Sequence, residues 1–358
     1  MASRPHETRE RAHSAAVRAA SGATGAAGRA GEFLPAWFLP GPHFQTIWGR
    51  LTRPRRLVTM RREWIELPDG DDLALDHVDS AQPSPVHFLL MHGLEGSSYS
   101  VYIQGILAVI ARRGYSATVM NFRSCARDPR SLTSMLPNRR PRFYHSGDTG
   151  DFDFVTRTMA ARLPHQKLAA FGGSLGGNVL LKWLGENAGQ TLISAAATLS
   201  VPYDLGEGAH LLDATATGRF YVRSFLATLK KKVSRADIAP LIDLPRVLRT
   251  RSFVSFDDTA TAPLHGFADA NDYYTRSSSI HFVDKITTPT LALNAADDPF
   301  LPPSVLPRVK ANASSAVDFR TTPAGGHIGF VSGGAPWRCE YWAEELVVRW
   351  LLDKAEAA

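Results

Sequence analysis

Cysteine is scarce in this chain. Cys125 and Cys339 are the only two, too few and too far apart for a disulfide framework or a four-ligand zinc site. They suit a reducing, cytoplasmic compartment. Long apolar runs are missing as well. The longest, around Val86–Met91 and Ile193–Leu199, are strand-sized and far short of the ~18 residues a membrane-spanning helix needs. Residues 1–31 carry Ala, Arg, Gly and Ser with almost no large apolar side chains. They lack the apolar segment of a secretory signal, and Glu7 and Glu10 count against a transit peptide. Such a stretch buries too little surface to offset its ordering entropy, so a disordered tail is expected. Acidic residues are sparse only at this end. Residues 1–62 hold eleven Arg and three Glu, a net charge of +8, whereas the remainder holds 29 basic and 31 acidic side chains, a net of −2. A nearly neutral body excludes nucleic acid as the partner of the main domain.

What is present fits one globular domain over residues 32–358, since 358 residues with 44% hydrophobic content can bury a large core. Phe33–Pro40 and His43–Trp48 concentrate aromatic groups ahead of Arg53-Pro-Arg-Arg56. This segment is expected to pack against the body, with a weak peripheral membrane contact as the alternative. Glu63–Leu67 and Leu73–Val78 alternate about an acidic Pro68–Asp72 turn, which reads as a hairpin. The turn lacks the spaced ligands of a calcium loop. Strand-like runs follow at Val86–Met91, Ser116–Phe122, Lys167–Phe171, Ile193–Val201, Pro289–Asn294 and Ala316–Thr321. Helical stretches lie between and after them, at Tyr99–Arg113, Asp151–Leu163, Leu175–Asn187, Ser304–Lys310 and Trp337–Asp353. That alternation predicts an α/β fold with a mostly parallel central sheet and helices on both faces. Functional loops are then expected at the strands' C-terminal edge. The alternation breaks at about 206–287, which reads as a helical cap insertion. Lys230-Lys-Lys232 within it reads as a solvated helix face, and Trp337 and Trp342 as core.

Phe171-Gly-Gly-Ser-Leu-Gly-Gly-Asn178 holds a G-x-S-x-G pattern around Ser174, directly after a strand and before a helix. A nucleophile on so sharp a turn needs small neighbours, and the following N–H, that of Leu175, points at the reacting carbonyl's oxygen. No P-loop Lys-Ser/Thr and no G-x-G-x-x-G is in register. Serine needs a base; Gly325-Gly-His327 follows the last strand and supplies one. Asn294-Ala-Ala-Asp297-Asp298-Pro299 ends the preceding strand, and either Asp can orient the imidazole. The D-x-x-x-P form of Asp298–Pro302 favours Asp298. Ser174, Asp298 and His327 run in hydrolase order. A second oxyanion donor is expected from His92-Gly-Leu-Glu-Gly96, with Leu94 the candidate N–H. His92 and Glu95 make at most two metal ligands, so no metal or cofactor is called for.

These motifs resemble the α/β-hydrolase superfamily, in its YheT-like branch of bacterial esterases and eukaryotic abhydrolase-domain lipases and phospholipases. The resembling segments are His43–Trp48, Met91–Gly96, Tyr144–Gly147, Gly172–Asn178, Thr261–Gly266, Asn294–Pro299 and Gly325–Phe330. The resemblance implies a serine hydrolase of carboxylic esters with a Ser174/Asp298/His327 triad, no cofactor, and small-molecule or lipid-like ester substrates. Thioester cleavage or acyl transfer on the same triad is an alternative. No His here has Asp five residues on, as an H-x4-D acyltransferase would. A third alternative is a non-catalytic, membrane-associated binding protein. After β-strand Ser116–Phe122 the branch reads Arg-Gly-Cys, whereas this chain has Arg123-Ser-Cys125 and an Arg/Pro-rich stretch to Arg142.

Overall fold

Eight strands form the main sheet of the computed structural model, which describes residues 32–357; the tail expected over 1–31 lies outside them. In chain order the strands are β1 (Arg61–Glu66), β2 (Asp72–Val78), β3 (Val86–Met91), β4 (Ser116–Met120), the separate hairpin β5 (Arg127–Asp128) and β6 (Ser131–Met135), then β7 (Lys167–Gly173), β8 (Ile193–Leu199), β9 (Thr290–Ala295) and β10 (Val317–Thr322). The sheet order is β1-β2-β4-β3-β7-β8-β9-β10. β1 and β2 pair antiparallel, β2 lies antiparallel on β4, and every later neighbour is parallel. β3 and β9 are buried at every residue, the fate of continuous apolar runs in a sheet covered on both faces.

The helices are α1 (Pro42–Thr52), α2 (Val101–Arg112), α3 (Gly150–Arg162), α4 (Leu175–Glu186), a series α5–α10 described below, α11 (Val305–Asn312) and α12 (Trp342–Ala357). α12 packs against α2 and against β3, β7 and β8. Phe152 and Val155 of α3 share a core with Val179 and Trp183 of α4 and with Leu89 and Met91 of β3. The acidic hairpin turn is tied into the body. Arg123, 2% exposed, donates at 2.7 Å to Asp69, Asp71 and Asp151, so three carboxylates surround one buried guanidinium.

Between β8 and β9 the chain forms α5 (Leu205–Ala214), α6 (Ala216–Val233), α7 (Leu244–Arg249), α8 (Phe253–Phe256), a π-helical turn at Asp257–Thr261, α9 (Ala262–His265) and α10 (Ala270–Ser277). Leu212, Val222, Leu226, Val233, Val247 and Phe256 give these helices an apolar cluster of their own, and Leu94 and Phe300 pack against it. Those two residues follow β3 and β9, so the helices lie at the C-terminal edge of the sheet.

Three expectations are corrected. The helix expected from Trp337 begins at Trp342, because Val331–Ala335 (β11) and Arg338–Tyr341 (β12) pair as a hairpin. Pro336 and Trp337 form its turn, which leaves Trp337 exposed instead of in the core. Lys232 is not on a solvated face. It is 5% exposed and faces Glu95. Lys230 caps carbonyls of Leu248 and Thr250 at 2.9 and 2.6 Å, while Lys231 is exposed. Finally, the aromatic segment packs only in part: Ala36 and Leu39 join Val331 in a small core, whereas Trp37, Phe44 and Leu51 stay exposed.

Candidate active site

Ser174 occupies the link between β7 and α4 at φ 52, ψ −122, left-handed backbone that a non-glycine residue rarely adopts. The turn closes only because its neighbours lack side chains. A Cβ on Gly172 would lie 2.4 Å from the Gly176 carbonyl oxygen, and one on Gly176 would lie 2.6 Å from that of His92. The Ser174 N–H donates to Leu199 O at 2.8 Å, which fixes the turn to β8.

His327 lies in the loop after β10. Its Nε2 is 2.9 Å from Ser174 Oγ, and its Nδ1 is 2.9 Å from Asp298 Oδ2 and 3.2 Å from Oδ1. The Asp298 side chain has no exposed surface and also accepts the Phe300 N–H at 2.9 Å. Asp297 turns away and accepts the Gly326 N–H at 2.9 Å. The structure thus brings Ser174, His327 and Asp298 into one hydrogen-bonded line and leaves Asp297 to hold the loop.

Several residues that build this line are ones to which the sequence assigned no role. Thr46 on α1 accepts the His327 N–H at 2.9 Å, and Gln45 pairs both donor and acceptor with the Val331 backbone at 3.0 and 2.7 Å. Ser200 Oγ accepts the Ile328 N–H at 2.9 Å. Phe300 stacks on the imidazole, with ring centroids 4.2 Å apart. Gln45 and Thr46 fall within the His43–Trp48 segment, noted for its aromatic residues and for its family resemblance, so the signal was there without its purpose. Ser200 and Phe300 had none beyond proximity to strand ends.

The loop after β3 approaches from the other side, where a Cβ on Gly93 would stand 3.5 Å from Ser174 Oγ. Its donors can be accounted for one by one. Gly93 N–H goes to Tyr102 Oη at 2.6 Å, Glu95 N–H to Tyr144 Oη at 2.7 Å and Gly96 N–H to Gly93 O at 3.0 Å. Among the described residues the Leu94 N–H is left unspent. So is that of Leu175, which opens α4, where first-turn donors have no partner within the helix. His92 spends both ring nitrogens internally, Nδ1–H to Gly93 O at 2.8 Å and Nε2 from Phe122 N–H at 3.2 Å. Burial pushes it down to about 3, so it stays neutral.

Glu95 is anchored from below. Its carboxylate accepts from Lys232 and, at 3.0 Å, from Tyr144 Oη, and Lys232 also donates to Cys125 Sγ at 3.1 Å. Burial alone would lower the Lys232 ammonium, but Cys125 and Glu95 outweigh it and hold it above the usual range.

Ser174, His327, Leu94 and Leu175 open into one cavity of about 430 Å³, walled by apolar side chains including Leu212, Phe225, Phe253 and Phe300. Asp257 lines it further along. Its carboxylate accepts from Thr261 Oγ1 at 2.6 Å and Tyr274 Oη at 2.7 Å, and burial pushes it up to about 6.

Residues 86–334 match the family model described as alpha/beta hydrolase fold. The chain belongs to the α/β-hydrolase fold family. This hydrolase is 34% identical over 333 residues to the Escherichia coli (strain K12) protein named "Putative esterase YheT", covering 91% of this chain and 94% of that one. It is 30% identical to mouse "Phospholipase ABHD3", covering 84% of this chain and 75% of the relative. The hydrolase also shares its fold with a solved esterase of Pyrococcus furiosus, at 14% identity, a TM-score of 0.55, and coverage of 84% and 94% of the two chains. Among the described residues no helix is long and apolar enough to cross a membrane.

Proposed function

We propose that this hydrolase cleaves carboxylic esters with an apolar acyl or alcohol part, using Ser174 as nucleophile, His327 as general base and acid, and Asp298 as the group that orients it. The observation that carries this reading is the line of 2.9 Å contacts from Asp298 through His327 to Ser174 at an apolar cavity. Asp298 accepts Nδ1–H, which leaves Nε2 free to take the serine proton as Oγ attacks the ester carbonyl. The oxyanion then meets the N–H groups of Leu94 and Leu175, each donor worth about 3–4 kcal/mol in comparable sites. The imidazolium gives its proton to the departing alkoxide. Water, deprotonated by the same nitrogen, releases the acid and restores Ser174. The helices between β8 and β9 act as a cap that shapes the acyl pocket, and names such as esterase and phospholipase among the relatives support ester substrates.

The test is hydrolysis of p-nitrophenyl esters from acetate to palmitate by wild type and Ser174→Ala. Turnover by wild type alone is expected, with the preferred chain length reporting the cavity's size. If neither protein turns over, a fluorophosphonate probe decides. Labelling of wild type but not Ser174→Ala keeps the nucleophile; no labelling of either abandons it.

A further inference from the structure

Helix α1 is inverted with respect to a surface helix. Its buried positions are Gln45 and Gly49, whereas Phe44 and Leu51, seven residues apart and so on one face, are 59% and 76% exposed. Ordinary surface helices put apolar groups inward. Trp37, 76% exposed, and Trp337, 82% exposed at the β11–β12 turn, extend the same apolar surface. Neighbouring residues tie these segments together. Trp37 Nε1 donates to Gly334 O at 3.0 Å, Trp37 and Trp48 both stand edge-on to Phe38 at 5.7 Å, and Trp48 Nε1 donates to Cys339 Sγ at 3.2 Å. At the other end of α1, His43 bonds Tyr221 Oη at 3.1 Å, and the neighbouring Phe220 is exposed too. Three stretches distant in sequence therefore place exposed aromatic groups along one ridge.

The charge on the α1 side of this ridge has one sign. Residues 35–62 contain six Arg and no Asp or Glu. Arg53, Arg61 and Arg62 pair with Glu344, Asp79 and Asp76, and Arg56 donates to the Pro129 carbonyl. Among the described residues Arg50 and Arg55 have no ion pair and Arg56 no carboxylate. Ile47, Arg50 and Arg55 also line the cavity that holds Ser174, so the ridge borders the cavity's opening.

We infer that α1, the Trp37–Phe38 segment and the β11–β12 turn form a docking surface for a lipid layer of net negative charge. Aromatic and aliphatic side chains enter the acyl boundary, and Arg50, Arg55 and Arg56 meet the headgroups. Aromatic groups interleaved with guanidinium groups that have no ion pair, with no carboxylate in residues 35–62, match that surface better than a protein partner. The shared border with an apolar cavity gives an apolar substrate a path from lipid to site. The inference does not rest on the triad.

Co-sedimentation of the full-length protein with vesicles of phosphatidylcholine alone, or with phosphatidylglycerol added, tests it. Wild type and Ser174→Ala are both expected to pellet with the anionic vesicles and to be released by salt. The triple variant Phe44→Ser/Leu51→Ser/Trp337→Ser should lose at least about tenfold in partitioning while keeping the circular dichroism spectrum and urea midpoint of wild type, which shows that it folds. Arg50→Gln and Arg55→Gln should each cost about fivefold. Binding to neither vesicle overturns the proposal. So does full binding by the triple variant, which would move the contact elsewhere in the chain. Light scattering that shows a dimer abolished by the triple variant would give the ridge to a second copy instead.

Discussion

Ser174 is held where side chains pay for backbone strain, a cost of about 1–3 kcal/mol. The glycines at 172 and 176 make that position reachable, which is why the motif stood out in the sequence: the geometry permits no other residue type there. Neighbouring acids were harder to separate, because Asp297 and Asp298 differ only in the direction the chain takes after β9. Their hydrogen bonds differ clearly, one to His327 Nδ1 and the other to the Gly326 N–H. On the proposed mechanism Asp298→Asn presents the wrong group to Nδ1, so kcat should fall about 10⁴-fold with the fold intact, the loss seen when a triad acid is amidated. Asp297→Asn keeps an oxygen for Gly326 and should stay within about tenfold of wild type. Steady-state kinetics on one ester compares the two, and an equal or larger loss at 297 would overturn the assignment.

Elements were legible where a single physical rule governs them. Buried parallel strands read as mostly apolar runs, and β3, β7, β8 and β9, buried at all but one residue or at every residue, fall within a few residues of their expected bounds. The β11–β12 hairpin was not legible, since Ser332-Gly-Gly-Ala335 has no alternating pattern and Trp337 stands just ahead of the apolar run that opens at Trp342. Lys232 on α6 shows the same limit. A lysine triplet looks solvated, and only the fold brings its last member against Glu95 and Cys125. That contact links α6 to the loop that carries Leu94. Lys232→Met would strand the Glu95 carboxylate in the interior, and breaking a buried pair in this way costs about 3–5 kcal/mol. Urea unfolding should show that loss, and much of it should return in Lys232→Met/Glu95→Gln, which removes both charges. If the single and double variants are equally unstable, the ion pair is not what anchors the loop.

Across the whole molecule, buried carboxyl groups give stability two opposing slopes with pH. Burial favours the neutral acid at both Asp69 and Asp71, but Arg123 and the Asp71 N–H outweigh it at Asp69, and the Arg140 N–H, Asn138, the Asp72 N–H and Arg123 outweigh it at Asp71, so both are held below the ordinary range. Groups depressed in this way stabilise the fold above their unfolded value, and that contribution is lost as pH falls through the folded one. Asp257 behaves oppositely. Burial lifts it from 3.8 to about 6, so the folded state holds its proton more tightly than the unfolded chain. Its contribution is full below about pH 4 and disappears as pH rises through about 6. Melting temperatures of wild type, Asp71→Asn and Asp257→Asn across this range separate the slopes. The deficit of Asp71→Asn should shrink as the solution is acidified below about pH 4. Asp257→Asn should gain on wild type between about pH 4 and pH 6, because an amide keeps an acceptor in place without a charge to bury. A constant offset between Asp257→Asn and wild type over that interval would mean that Asp257 ionises as freely in the cavity wall as in the unfolded chain, and that burial there is relieved by solvent entering the cavity.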